Sequence, residues 1–501
     1  MTTKYHALLE KVYEINDINK ALAVLSWDKE VNMPPQGLAA RVQQMTTLNR
    51  LSHTFFTADD MGQLIEDAAA EIDGAAYDSN EASLLRLLQK NYADARKVPT
   101  GFVTRAAQLG GKAHAAWVKA RAQNDYASYE PWMAQVIEMC QELADYYGYK
   151  DEKYDALLDK YETGMKTAEV RAIFDAVKAE LIPLREAIVE RGTAVSDALV
   201  HQNFDIEKQK EFARAIAAAI GYDFERGHLG TVVHPFATSF SRDDARITTR
   251  WYPGFLNPSL FGTLHESGHA MYEQGTHPDL ARTPLARGTS LGIHESQSRM
   301  MENLVGRNRG FWQAHFPALQ SLFLDQLGSA GAEDFYRAIN KVQPSFIRVE
   351  ADELTYNFHI ILRFELEQAM LNGELAAKYL PQAWNAKMET LLGIIPPNDS
   401  EGCLQDVHWT RPGFGYFPTY ALGNLYAAQL WETAVAQHPA IETELAQGKT
   451  ETLLHWLGAN IHQHGHKFTP GELIRRVTGQ PLSHDAFMRY AAAKFSDIYG
   501  L

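Results

Sequence analysis

The feature that most narrows the fold is a helical period running almost unbroken from Tyr5 to about Tyr222. Apolar residues recur three and four positions apart over 5–27, 38–56, 80–97, 100–122, 131–148 and 167–191, the mark of helices that bury one face. The breaks fall at Met33-Pro34-Pro35-Gln36-Gly37, Val98-Pro99-Thr100-Gly101 and Thr163-Gly164, which carry turn chemistry and no linker composition. After Gly227 the texture changes. Leu229 to Phe236 and Ala245 to Trp251 read as two strands of a hairpin-like ribbon separated by Ser239-Phe240-Ser241-Arg242-Asp243, with a third short strand in Gly288 to Ile293. Helical pattern resumes at 351–371, 375–395, 418–437 and 468–476. The expectation is a mainly α, two-lobed molecule with a deep groove and a small β-sheet. It forms a single domain over 1–501, with a mostly helical lobe at 1–226 and a sheet-bearing lobe at 227–501.

Inside that second lobe stands His265-Glu266-Ser267-Gly268-His269. Residues four apart share one face of a helix, so His265 and His269 can grip one metal ion while Glu266, turned about 100° round the axis, faces a metal-bound water. The flanks read as a real helix: Asn257 as cap, Pro258 in the first turn, Phe261, Leu264 and Met271 as apolar face, and Gly275 as stop. A hydrolytic zinc takes three protein ligands. Downstream, Glu295 opens an amphipathic run through Asn303, Leu304 and Val305 and is the expected third ligand; His277 and His294 are rivals, and pairing of Glu295 with Arg299 one turn on is the plain alternative.

A net charge of -15 without a basic stripe argues against a nucleic-acid partner. The N-terminus has no long apolar stretch, so no signal peptide or membrane span is expected, and only two cysteines, Cys140 and Cys403, suit a reducing cytoplasm.

Six segments in order then carry a resemblance: His234-Pro235-Phe236, Asp244-Ala245-Arg246-Ile247-Thr248, the HESGH run, His294-Glu295-Ser296-Gln297, Ile347-Arg348-Val349-Glu350-Ala351-Asp352 and Gly402-Cys403-Leu404-Gln405-Asp406-Val407-His408-Trp409. With these the chain resembles the carboxypeptidase Taq family of metallocarboxypeptidases. The resemblance implies a groove-containing helical fold like that of the neurolysin and angiotensin-converting enzyme group, a catalytic divalent metal, homodimerisation, Glu295 as third ligand, and removal of C-terminal residues from peptides with broad tolerance. One departure stands out. Many HExxH enzymes with a glutamate ligand place an aspartate one turn later to orient a ligand histidine; here that position is Arg299, and Glu273 is the substitute candidate.

Under this reading Glu266 is the general base. The loop from His408 to Tyr420 supplies oxyanion donors, His408 and Tyr420 first, with Tyr416 as the other phenol and aromatic packing as the plain alternative. Arg348, then Arg411, suits the terminal carboxylate. His234 and Arg246 lie in the expected strands, where His234 lines the substrate channel and Arg246 with Asp244 is structural. His462, His464 and His466 read as a helix end and not as a second metal site. The metal is zinc, with cobalt or manganese possible in its place. An oligopeptidase cutting inside short peptides shares the metal and base, and a non-catalytic zinc scaffold is the alternative of another class.

Overall fold

A computed structural model of the chain describes residues 3–191 and 195–501. Lys4–Val31, Leu38–Thr57, Asn80–Lys97, Thr100–Gln123 and Thr167–Glu190 match the expected helices to within a turn. Tyr126–Tyr147 begins earlier than the period suggests, because the Asp125 carboxylate accepts from Ser128 N at 3.2 Å and caps the helix ahead of Pro131. In the second half Pro418–Gln437 coincides with its expected stretch. Tyr356–Leu371 starts later than expected, since Asp352 accepts from the Leu354 and Thr355 amides at 3.0 and 2.9 Å and holds that segment as a turn.

The sheet differs from expectation in three ways. Its strands are β1 (Leu229–Thr231), β2 (Ala237–Ser241) and β3 (Asp244–Thr249), in the order β1-β3-β2, with β1 parallel and β2 antiparallel to β3. Ser239 to Ser241, read as a connection, is thus part of a strand, and the expected first strand is interrupted near Pro235, which has no N–H to give a ladder. Nor is Gly288 to Ile293 a strand. Ser290 Oγ accepts from Ile293 N at 3.1 Å and caps the helix Leu291–Arg299 instead.

The chain forms two compact units, each assembled from three segments: Met1–Arg96, Asp197–Ile339 and Leu430–Pro481 in one, Lys97–Ser196, Asn340–Gln429 and Leu482–Leu501 in the other. Each of the lobes expected at 1–226 and 227–501 is therefore divided between both units. In the first unit Leu8, Val12, Ile15, Met61, Ile65, Leu84 and Leu88 from three helices bury Leu280 and Leu285 from the far side of the sequence. The sheet packs through β2 and β3 on the helix Asn257–Gln274. In the second unit Phe364 stands edge to face with Tyr154 and Phe174, at centroid distances of 5.4 and 5.2 Å. Cys140 and Cys403 are both free and buried. Among the described residues no helix is long and apolar enough to cross a membrane.

Candidate active site

The helix Asn257–Gln274, the histidine helix below, carries Pro258 in its first turn and ends at Gly275. Asn257 is not its cap. Leu256 holds that position, and Asn257 lies already inside the first turn. Leu291–Arg299, the glutamate helix, is packed directly on it and continues as a π-helical turn, Met300–Val305. Gly268 makes the packing possible: a Cβ there would stand 2.4 Å from Gln297 O and 2.6 Å from Ser298 Cα. At this crossing one donor atom from each of His265, His269 and Glu295 lies within 4.8 Å of the others. Glu295 Oε2 is 3.7 Å from His265 Nε2 and 3.4 Å from His269 Nε2. Neither rival histidine joins them: His277 caps a short turn through its own ring, accepting from Asp279 N.

The opposite ring nitrogens are both engaged. His265 Nδ1 is 2.8 Å from Glu302 Oε2. His269 Nδ1 is 2.7 Å from His294 Nδ1, and His294 Nε2 is 2.8 Å from Glu273 Oε1. With both imidazoles neutral, as metal ligands must be, one set of protons is consistent: each of His265 and His269 donates from Nδ1, His294 accepts at Nδ1 and donates from Nε2 to Glu273, and both Nε2 lone pairs are left towards Glu295. Gly288 admits this relay, since a Cβ there would sit 2.6 Å from His294 Cδ2. The carboxylate missing at position 299 is thus supplied by Glu302, while Glu273, the candidate from sequence, acts through His294. Arg299 donates to Glu295 Oε1 at 2.7 Å and to Glu302 Oε2 at 3.1 Å, so the ion pair weighed against the ligand role of Glu295 coexists with the cluster and uses its other oxygen.

Electrostatics separate the groups. Burial alone would push Glu295 up, but Arg299, His265 and His269 hold it well below the usual carboxylate range. Burial works against charge on His265 too, yet Glu295 and Glu302 raise it to about 9, whereas burial with His294 and His265 lowers His269 to about 4. Glu266 is 7 % exposed and has no hydrogen-bond partner among the described residues; burial pushes it up to about 7. An uncommitted buried carboxylate of this kind suits a proton shuttle. Two imidazoles with fixed tautomers and an ionised carboxylate fit a divalent ion with a position left open, and among the described residues no fourth protein ligand closes the group.

The remaining candidates lie in the second unit. Arg348 is buried; its Nε and Nη2 donate to Asp406 Oδ1 at 3.3 and 3.2 Å and its Nη1 to Tyr356 Oη at 3.1 Å. Arg363, fully buried, takes Asp406 Oδ2 at 2.5 Å. Of the acids near Arg348 in sequence, Glu353 is held by Lys494 at 2.6 Å and Asp352 by the turn described above. The Arg348 guanidinium also stands over the Tyr420 ring at 5.1 Å. Tyr420 Oη is 3.4 Å from Tyr416 Oη, and the His408 ring stacks on Tyr416 at 5.4 Å. Burial raises the Tyr420 phenol and lowers His408. Arg411 is exposed. In the first unit His234 is exposed in a bend between β1 and β2 and not in a strand, while Arg246 forms a two-pronged pair with Asp244 at 2.7 and 2.8 Å. His462 faces Gln297 Oε1 at 2.9 Å and belongs to no metal cluster among the described residues. Sequence reasoning missed Glu302, Arg363 and the roles of Asp406 and His294; for Glu302 the only signal was its place seven residues after Glu295, on the same helical face.

A family model described as carboxypeptidase Taq (M32) metallopeptidase matches residues 7–495. Thermostable carboxypeptidase 1 of Thermus thermophilus is 40% identical over 99% of both chains, and carboxypeptidase 1 of Bacillus subtilis 38% identical over 97% of this chain and 96% of its own. The crystal structure of an M32 carboxypeptidase from Deinococcus radiodurans R1 superposes with a TM-score of 0.97 at 36% identity, covering 100% of each chain.

Proposed function

This chain belongs to the carboxypeptidase Taq family of metallopeptidases and is a metal-dependent carboxypeptidase, and from that premise we propose that His265, His269 and Glu295 hold the catalytic ion and that Glu266 is the general base. The observation that carries this reading is the convergence of the two Nε2 atoms on Glu295 Oε2, at 3.7 and 3.4 Å, with both Nδ1 atoms already committed. A divalent ion held there supplies Lewis acidity that polarises a peptide carbonyl and acidifies water. Zinc suits two imidazoles and a carboxylate, and cobalt or manganese can replace it.

The chain's own groups do the rest. Glu266 takes a proton from the attacking water and hands it to the leaving amine. His408 with Tyr420, or Tyr416 in its place, donates to the oxygen on which charge develops. Arg348 offers a substrate carboxylate the Nη hydrogens that Asp406 and Tyr356 leave over, with Arg411 as the second cation and His234 lining the channel. In this reading the protein works as one domain over 1–501 and as a homodimer, in the cytoplasm, on peptides with a free C-terminus; two free cysteines support the compartment.

Two measurements test it. Glu266→Gln is expected to keep its metal and lose at least about a thousandfold in kcat, because general-base catalysis and charge at the water are lost together; full turnover by this variant refutes the assignment. Peptides with free C-termini are expected to release single amino acids while amidated ones resist, in a reaction abolished by chelation and restored by metal. Internal fragments would instead identify an endo-acting oligopeptidase.

A further inference from the structure

The segment from Leu280 to Ser290, between the histidine and glutamate helices, carries Arg287. It is pinned on both sides of that residue. Leu280 and Leu285 are buried in the core of the first unit, Leu285 O accepts from His466 N at 2.9 Å, and Thr289 Oγ1 donates to Gly465 O at 2.7 Å. Gly288 N donates to Glu273 at 3.1 Å. The guanidinium is oriented as well: Arg287 Nε donates to His466 Nδ1 at 3.3 Å, and among the described residues neither Nη has a protein acceptor and no carboxylate pairs with the side chain. Arg287 is nevertheless set among neighbours that lower its pKa by burial, as they do that of His466, which stays neutral.

The charges around it leave an excess of positive. Among the described residues Glu273 is the one acid acting on Arg287, and its Oε1 already takes His294 Nε2 and Gly288 N. Glu273 also attracts Lys20, which makes no ion pair among the described residues; its Nζ donates to Ser239 O at 2.9 Å. Two cations thus share one carboxylate. The side chains of His265, His269 and His294 are partly open, exposed by 19, 18 and 22%.

We propose that Arg287, backed by Lys20, is a carboxylate subsite that receives an acidic side chain of the peptide on the N-terminal side of the cleaved bond. The proposal rests on His265, His269 and Glu295 being the metal centre. Distance selects the side. A carboxypeptidase releases one residue, so the terminal carboxylate lies within one residue, about 3.3 Å of extended chain, from the scissile amide. From His269 the contacts run 2.7 Å to His294 and 2.8 Å on to Glu273, which also accepts from the amide of Gly288, the neighbour of Arg287, at 3.1 Å, so two imidazole rings and a carboxylate lie between the ligand atom and that segment. A peptide reaches that far only with the residues that precede the bond. The paired Nη groups, free and held from behind through Nε, present the fork that a carboxylate takes with two parallel bonds.

The test is a set of peptides with one common C-terminal residue, carrying Glu, Gln or Lys at each of the three preceding positions in turn. Wild-type enzyme is expected to favour Glu over Gln at one of these positions by about tenfold in kcat/KM, chiefly through KM, and to disfavour Lys there. In Arg287→Ala the Glu-to-Gln ratio should fall to about one, in Arg287→Lys it should be partly retained, and in Arg287→Glu the preference should turn to Lys. High salt should narrow the wild-type ratio. Absence of any acid preference in the wild type, or its persistence in Arg287→Ala, overturns the proposal. So does an equal loss across all three series, which would place the terminal carboxylate on Arg287 instead. Failure of the metal assignment reads out separately: His265→Ala would then keep its metal content, whatever the peptide preferences.

Discussion

A ligand imidazole is governed by what holds its far nitrogen. On His265 that group is Glu302, ionised and itself steadied by Arg299. A carboxylate in this place fixes the tautomer and makes the ring a better donor to a metal. Glu302→Ala is therefore expected to weaken metal binding by about 10- to 100-fold and Glu302→Gln by less, measured by competition with a chelator; unaltered affinity in both would mean that Glu302 serves only Arg299. The same residue shows what a sequence can disclose. His265, Glu266 and His269 are legible because their relation is local, one turn of helix. Glu302 was hidden because the position where an acid is expected, one turn beyond Glu295, holds Arg299, whereas the acid stands two turns on in a π-helical turn. The partner of Arg348 was illegible for a different reason: Asp406 is 58 residues away, much farther along the chain than the neighbouring acids Glu350, Asp352 and Glu353.

Helices were legible from their period, short strands much less so. β1 and β2 have three and five residues, too few for alternation to declare itself, and Pro235 broke a run that looked continuous. The crossing of the two ligand helices, by contrast, hangs on a single position inside the motif. Gly268→Ala puts a methyl group 2.4 Å from Gln297 O, so backbone must move. Overpacking of this kind costs about 1–3 kcal/mol, and the movement separates His265 and His269 from Glu295. A lower melting temperature and lost metal affinity are both expected; a stable variant with normal metal content would show that the glutamate helix can shift without harm. The segment His462 to His466 adds a pH dependence. Burial lowers both His462 and His466 to about 3, below the value of about 6.5 in an unfolded chain. Between those values the unfolded state binds the extra protons, so this contribution to stability is present above about pH 6.5 and lost as pH falls. Urea melts at pH 7.5 and 5 should show the loss, and a smaller one in His462→Gln; equal slopes would exclude His462 as its source.

The division of the chain into units is the property of the whole molecule that sequence continuity concealed. A change of texture near Gly227 suggested lobes at 1–226 and 227–501, but contacts assemble each unit from three separated stretches. Pattern along a chain reports which residues seek burial and is silent on which distant segment buries them. Leu280 and Leu285 make the point: they lie between the ligand helices in sequence, yet their apolar neighbours are Leu8, Val12, Ile15, Met61, Ile65, Leu84 and Leu88. Burying a leucine is worth about 1.5–3 kcal/mol, so a fragment 227–501 loses several such terms together with the α-helical wall that holds the 280–290 segment. Gly288 and Thr289 in that segment anchor Glu273 and Gly465, and through Glu273 the His294 and His269 rings. The fragment is therefore expected to lack cooperative unfolding and to bind metal far more weakly than the full chain, by circular dichroism and metal titration. A fragment that melts cooperatively and binds metal with full-length affinity would make 227–501 a folding unit in its own right, and the interleaved arrangement a property of contacts alone.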